Sequence, residues 1–479
     1  MPVLSTRGQR AFARPPLLKN SRLFEFLVEY YRQNFALEYT DLTYGTALTG
    51  SVRLFTALNH LFAQYFNPHV PVSRNHIVAG SGCSSIIDSV VSSLADPNDG
   101  VLLAKPFYNG FVASFECRNG VQAVGVSLEK GHEAEPSAIA AFERALAESN
   151  ARGVKIRAVM LCNPHNPLGF CYSRETLLAY CRFAEKHDLH LISDEIYALS
   201  TFETPEWPNA TPFTSVLALD VKHEAGCDPS RVHCIYGASK DWGCNGLRVG
   251  CLVSQYNPQL VTAMESSALL LKISSVSDAL WSTLLLDQVH LPKYVDMNRR
   301  VLAEAHADAV AWLKSHDIPF RPSNAGHFIW MDLRKFLPTT SSEGERLPVG
   351  MAQEEELFNR FAANRVIVAR GAAYANTEPG WFRLTFTIRQ DYFQIGLGRV
   401  EKALGLPVTR GEREEKAERE RELSGSGSDV GGTSQSATGE GAEHRVGVVT
   451  CEERGLKQLE KEVDMVNEAL AKASVRTDL

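Results

Sequence analysis

A lysine, Lys240, stands just past the apolar run Val232 to Tyr236, in the stretch GASKDWGCNGLRVG of residues 237–250. Arg248 follows at the head of a second apolar run, Leu247 to Val253. A lysine held among apolar strands loses affinity for its proton, because desolvation disfavours the ammonium. A neutral amine is a nucleophile that condenses with aldehydes. A guanidinium beside it would answer an anion. Alone, Lys240 reads better as a solvated structural lysine, so the neighbouring motifs decide.

Three further stretches end in unusual polar groups. VAGSGCSSIIDS (78–89) sets Gly82, Cys83 and Ser84 between an apolar stretch and a helical pattern. Small residues there let backbone N–H groups approach a phosphate at a helix N-terminus. An ordinary glycine turn is the plain alternative. A dinucleotide fingerprint is the sharper one, but it wants Gly or Ala where Ser85 stands. LCNPHNPLGF (161–170) repeats Asn-Pro after an apolar run, which stiffens the backbone and aims the amide of Asn166. ISDEIYA (192–198) places Asp194 at a strand end, with Tyr197 one turn on. By itself Asp194 could be an N-cap or a surface acid.

Taken together these groups ask for one ligand. It carries an aldehyde for Lys240 and a phosphate for the Gly82–Ser84 loop and Arg248. It has a ring nitrogen for Asp194 and a phenolic oxygen for Asn166 and Tyr197. Pyridoxal 5′-phosphate has this set. Asp194 would keep the ring nitrogen protonated, so that the ring withdraws electrons from the substrate Cα. Asn166 and Tyr197 would polarise the phenolic oxygen, and Lys240 would move the Cα proton as general base.

Such residues converge only if the strands carrying them lie in one sheet, since ligands of open parallel sheets sit beyond the carboxyl ends of the strands. VLLAKP (101–106), AVGVSL (123–128), IRAVMLCNP (156–164), LHLISDEIY (189–197), RVHCIYGAS (231–239) and LRVGCLVS (247–254) read as strands. SRETLLAYCRFAEKHD reads as a helix capped by Ser173. The alternation predicts an α/β fold, a mostly parallel sheet between two helical layers. From about 295 the pattern changes to a long helix, the strand GHFIWMDL (326–333), the helix MAQEEELFNRFAANR, the strands VIVARG and WFRLTFT (381–387), and a helix ending near Gly405. This predicts a smaller α+β domain. The expected organisation is an N-terminal arm and helix (1–44) belonging to the smaller domain, a large cofactor-binding domain (45–293), the small domain (294–405) and a tail (406–479). The tail is charged, then Ser/Gly-rich, and too poor in apolar residues to offset chain entropy; disorder is expected, with a short amphipathic helix at 456–470.

The 479 residues are 44% hydrophobic and 22% charged, with a net charge of −7. Neither a nucleic acid nor an anionic membrane is an expected partner, and no apolar run is long enough to span a bilayer. The ten cysteines include no C-x-x-C pair, so no metal site is expected. Their scatter fits a reducing, cytoplasmic setting. The acid-poor start, with Arg7, Arg10 and Arg14, has the flavour of a mitochondrial transit peptide, though Pro15-Pro16 interrupts any helix there.

NPHNPLG, SDEIY and SKDWGCNGLRVG resemble fold-type-I pyridoxal-phosphate enzymes of aminotransferase class I/II. ADPNDGVLLAKPFYNGF, SKDWG and EPGWFRLTF are most similar to the 1-aminocyclopropane-1-carboxylate (ACC) synthase-like branch, over about 40 to 405. The resemblance implies a homodimer with shared active sites, an amino acid substrate, and the three-layer α/β/α fold with a small α+β domain. It implies that Phe107, or failing it Tyr108, stacks on the pyridine ring, that Tyr44 reaches the partner's cofactor phosphate, and that Arg383 grips the substrate α-carboxylate. Read by itself, Arg383 alternates away from Phe382, Leu384 and Phe386 and suits that grip, though an exposed edge-strand arginine is the better reading without the resemblance. A cis bond at Asn166–Pro167 is also implied.

The chain departs from the pattern at Gly237, where a serine is usual and for which Ser239 could substitute, and at Cys83, where a hydroxyl is common. No equivalent of the glycine-leucine-alanine-glutamate-asparagine stretch of ACC synthases precedes the first long helix, which speaks against cyclopropane formation. Transamination is the expected reaction. The alternatives are a lyase (ACC formation from S-adenosylmethionine, or C–S elimination), a catalytically impaired member of the fold, and, far behind, a nicotinamide dehydrogenase.

Overall fold

The computed structural model describes residues 21–45 and 47–411. The main sheet has seven strands in the order β1-β7-β6-β5-β4-β2-β3. They are β1 (Ile77–Gly80), β2 (Gly100–Lys105), β3 (Gln122–Ser127), β4 (Ile156–Cys162), β5 (His190–Asp194), β6 (Val232–Gly237) and β7 (Gly250–Val253). β3, β2, β4, β5 and β6 run parallel. β7 runs antiparallel to both β6 and β1.

Continuous apolar runs form these strands because helices cover both faces. Leu102, Val159, Leu161 and Leu191 belong to one buried cluster. The alternate residues Val101, Leu103, Ala158, Met160 and Ile192 belong to another. A period of two therefore splits each strand between two cores. The helix Arg174–Lys186 begins where its cap predicts, with the Ser173 hydroxyl accepting the Thr176 N–H at 3.1 Å.

A second, antiparallel sheet has the order β8-β10-β9, formed by β8 (Phe328–Asp332), β9 (Ala369–Arg370) and β10 (Trp381–Thr385). The helices His290–Ser315, Met351–Ala363 and Gln390–Ala403 contribute Leu302, Trp312, Leu357, Phe361 and Leu397 to its core, with Phe382 from the sheet. No helix among the described residues is long and apolar enough to cross a membrane.

The helix Ser21–Asn34 buries Leu23, Leu27 and Tyr30 in a cluster that Leu54 and Trp242 share with Trp330 and Trp381 of the small sheet, and Phe26 meets Tyr294 of the helix His290–Ser315. The Tyr30 hydroxyl anchors it at the Thr283 carbonyl and Asp287. Two expectations need correction. VIVARG pairs with β10 only at Ala369 and Arg370; Val366 and Val368 are buried without a ladder and serve packing alone. The tail was expected to lose order from 406, yet the segment to Gly411 is seated on the last helix. There the buried Glu401 accepts the Thr409 N–H and hydroxyl and the Arg410 N–H, and Arg410 pairs with Asp308. Hydrogen bonds to a buried carboxylate supply what apolar content does not. The expectations for 1–20 and 412–479, the 456–470 helix among them, lie outside the described residues.

Candidate active site

The polar strand ends meet. Cys83, Ser84, Tyr108, Asn166, Asp194, Tyr197, Ser239, Lys240, Asn245 and Arg248 line one cavity of about 220 Å³. Each comes from the expected edge of the sheet. β1 leads into Gly82 and the helix Cys83–Leu94; β4 and β5 end level, Cys162 facing Asp194. β6 ends just before Ser239 and Lys240, and the antiparallel β7 begins just after Arg248.

Gly82 is required where it stands. Its φ is +87°, and a Cβ there would lie 2.6 Å from Arg248 Nη2. The loop therefore leaves the guanidinium room beside the helix N-terminus, where the first N–H groups have no intrahelical acceptor. Arg248 itself adopts a left-handed backbone, φ +53°, a conformation costly for a residue with a Cβ and often found at functional sites.

Asp194 is buried, and among the described residues its carboxylate accepts only the Ile196 N–H, at 3.3 Å. Burial pushes its carboxyl up to about 7, against the pull of that N–H and of Lys240. A buried carboxylate so sparsely bonded is an acceptor lacking a donor. Lys240 shows the complementary effect. Burial first, then the charge of Arg383, lowers its pKa, while Asp194 opposes the shift. Burial likewise raises the Tyr197 and Tyr108 hydroxyls, with Arg383 opposing in both.

Arg383 does not line the cavity of Lys240 but reaches its wall. It projects from β10 and donates from Nη1 to Asn166 Oδ1 at 2.9 Å. Its guanidinium lies over the rings of Phe328 and Tyr374, 4.8 and 4.9 Å from their centroids. The loop holding Asn166 has cis bonds at Asn163–Pro164 and Asn166–Pro167.

Two expected residues are elsewhere. Phe107 is packed in an apolar cluster with Phe111 and Ile192, and the ring lining the cavity is that of Tyr108. After Pro106 the chain turns, so the first aromatic points into the core and the second into the opening. Tyr44 is 73% exposed, on the surface of its own chain and away from its own cavity. Asn245, Phe328 and Tyr374 were not anticipated. Asn245 is five residues beyond Lys240 in GASKDWGCNGLRVG, while Phe328 and Tyr374 carry no polar signal that would set them apart from core residues.

At position 237 a side chain does not fit. A Cβ on Gly237 would stand 2.6 Å from the Val249 carbonyl and 2.8 Å from Cys83 Sγ. The two departures from the family pattern are thus neighbours, and the hydroxyl lining the cavity is that of Ser239.

Comparison with known proteins agrees with this geometry. Residues 32–400 match the family model described as aminotransferase class I and II. The Aspergillus fumigatus protein named probable aminotransferase gliI is 35% identical over 400 residues, spanning 81% of this chain and 88% of that protein. Bovine 1-aminocyclopropane-1-carboxylate synthase-like protein 1 is 34% identical over 350 residues, spanning 71% of this chain and 65% of that protein. Among solved structures, the Rhizobium meliloti aspartate aminotransferase superposes with a TM-score of 0.63 at 17% identity, over 81% of this chain and 88% of that one.

Proposed function

The chain belongs to the aminotransferase class I and II family, whose cofactor is pyridoxal 5′-phosphate, and we propose that it transfers the amino group of an α-amino acid to a 2-oxo acid in the cavity around Lys240. The residues present fit the cofactor. Asp194 is a buried acceptor in want of a donor, and a protonated ring nitrogen is one. The Gly82–Ser84 loop and Arg248 offer N–H groups and a guanidinium to a phosphate, with the Ser239 hydroxyl nearby. Tyr108 offers a ring face, and Asn166 and Tyr197 offer donors to a phenolic oxygen.

When bound, the cofactor supplies an electron-withdrawing ring that stabilises negative charge at the substrate Cα. The chain's own groups do the rest. Arg383, held flat by Phe328 and Tyr374, presents a planar fork to the substrate carboxylate and orients the Cα–H bond. Lys240, with its lowered pKa, accepts the Cα proton at Nζ. Tyr44 belongs to the site of a second copy. The exposed Tyr39, Leu42, Tyr44, Leu269 and Leu270 support a homodimer that covers them.

The observation that carries the reading is the pair Lys240 and Asp194 lining one cavity, each shifted toward neutrality. The purified protein is expected to show a visible absorption band with pyridoxal 5′-phosphate that Lys240→Ala abolishes. Products from an amino acid plus 2-oxoglutarate, from S-adenosylmethionine and from a cysteine conjugate then identify the reaction. A new amino acid formed from 2-oxoglutarate supports transamination; ammonia, thiol or cyclopropane products without it overturn it.

A further inference from the structure

The turn that carries Lys240 is tied to the turn that carries Tyr197 by the residue next to the lysine. Asp241 is buried, and its Oδ2 accepts the Leu199 N–H at 2.9 Å and the Tyr236 hydroxyl at 2.9 Å. Its Oδ1 accepts the Ser200 hydroxyl at 2.6 Å. Ser200 Oγ also lies 3.0 Å from His327 Nε2. A hydroxyl has one proton, and Ser200 gives it to Asp241. Toward His327 it can only accept, so His327 carries its proton on Nε2.

His327 immediately precedes β8 and is buried. Its ring stands edge-on to Tyr197, centroids 5.3 Å apart. Phe328 meets Tyr197 in the same way at 5.6 Å and lies under the Arg383 guanidinium. Backbone bonds accompany the side chains: Gly326 N–H donates to Ser200 O, and Phe202 N–H donates to Asn324 O.

We propose that Asp241, Ser200 and His327 form a positioning relay, one that sets Lys240 and Tyr197 relative to the small sheet, whose central strand β10 bears Arg383. The inference rests on the pyridoxal-phosphate reading above. Lys240 and Tyr197 must be placed against one substrate whose carboxylate is gripped from the other sheet. A displacement of about 1 Å between such groups costs on the order of a hundredfold in rate. Asp241 bonds both turns at once, and Ser200 passes the constraint to His327. Asp241, Ser200 and His327 stand behind the residues that line the cavity.

The test compares Ser200→Ala, His327→Leu, His327→Gln and Asp241→Asn, each purified with pyridoxal 5′-phosphate. Cofactor content, thermal stability and the pH midpoint of the visible band are recorded. So is the rate at which an L-amino acid bleaches the band, using whichever common amino acid bleaches wild type fastest. Ser200→Ala and His327→Leu are expected to keep the cofactor, shift the midpoint, and slow bleaching roughly tenfold to a hundredfold per bound cofactor, with the half-saturating concentration changed by about threefold at most. His327→Gln keeps a donor near the Nε2 position and is expected to restore most of the rate. Ser200→Ala leaves the Leu199 and Tyr236 bonds to Asp241 intact, so the test stands if Asp241→Asn does not fold. Wild-type midpoint and rate per bound cofactor in Ser200→Ala and His327→Leu would overturn the relay and leave these residues a packing role. A wild type that shows no band at all would overturn the cofactor reading, and the relay with it.

Discussion

Arg383 Nη1 and Asn166 Oδ1, 2.9 Å apart, join the small antiparallel sheet to the loop after β4. A guanidinium only donates, so the bond fixes which way the Asn166 amide faces. Its oxygen is turned to Arg383, and its NH₂ group is left for other acceptors. The residue assigned to the substrate carboxylate and the residue assigned to the phenolic oxygen therefore hold each other in place.

Arg383→Lys keeps the charge but loses the fork and the flat stacking on Phe328 and Tyr374. The apparent KM for the amino acid is expected to rise about tenfold to a hundredfold, with a smaller fall in kcat. Steady-state kinetics check it. An unchanged KM excludes Arg383 as the carboxylate grip.

Burial holds the Asp194 carboxyl at about 7, against an ordinary 3.8. The cofactor-free fold therefore favours the protonated acid. That contribution is full below about pH 4 and is lost as pH rises through about 7. Asn at 194 mimics the protonated acid at every pH. Cofactor-free Asp194→Asn should melt close to wild type below about pH 4 and gain on it by a few degrees as pH rises from about 4 to about 7, the gap then staying constant at higher pH. Calorimetry across that range reads it, and a gap that does not widen between about pH 4 and about pH 7 contradicts a perturbed Asp194.

Gly237→Ser would restore the serine usual in the family, and it is expected to harm the protein. The new Cβ meets the Val249 carbonyl as well as Cys83 Sγ, so the backbone must move, at a cost of about 1–3 kcal/mol. Denaturant titration measures the loss. Adding Cys83→Ser should not recover it, because the carbonyl remains; full recovery would show that the sulfur alone sets the constraint.

Tyr44→Ala and Lys240→Ala are each expected to be nearly inactive alone. If Tyr44 serves the other subunit, unfolding and refolding an equal mixture should return roughly a quarter of wild-type activity, because half of the dimers then contain one intact site. No recovery in the mixture would place Tyr44 in its own chain's site or in none.

Much of this was legible before the fold was known. Lys240, Asp194, Asn166, Tyr197 and Arg248 announced themselves because polar groups ending apolar strands need a reason to be there, and the sheet supplies a common edge for them. What escaped depended on direction or on distant partners. Phe107 and Tyr108 are adjacent aromatics after a proline, and sequence order does not tell which ring faces the opening. VIVARG has the composition of a strand, but the ladder beside it offers two positions only. The helix Ser21–Asn34 is amphipathic wherever it docks, and its attachment to Thr283 and Asp287 is a contact across some 250 positions of chain.

The seating of residues 406–411 bears on how the protein is best trimmed for crystallisation. Glu401, wholly enclosed, also accepts from Trp312 and His316, and Gly398 is bare so that the Arg410 carbonyl can lie against it. A stop codon after Gly405, where the helical pattern ends, would strip that carboxylate of its Thr409 and Arg410 donors. A boundary just after Gly411 spares it, and the shorter version should express in poorer yield.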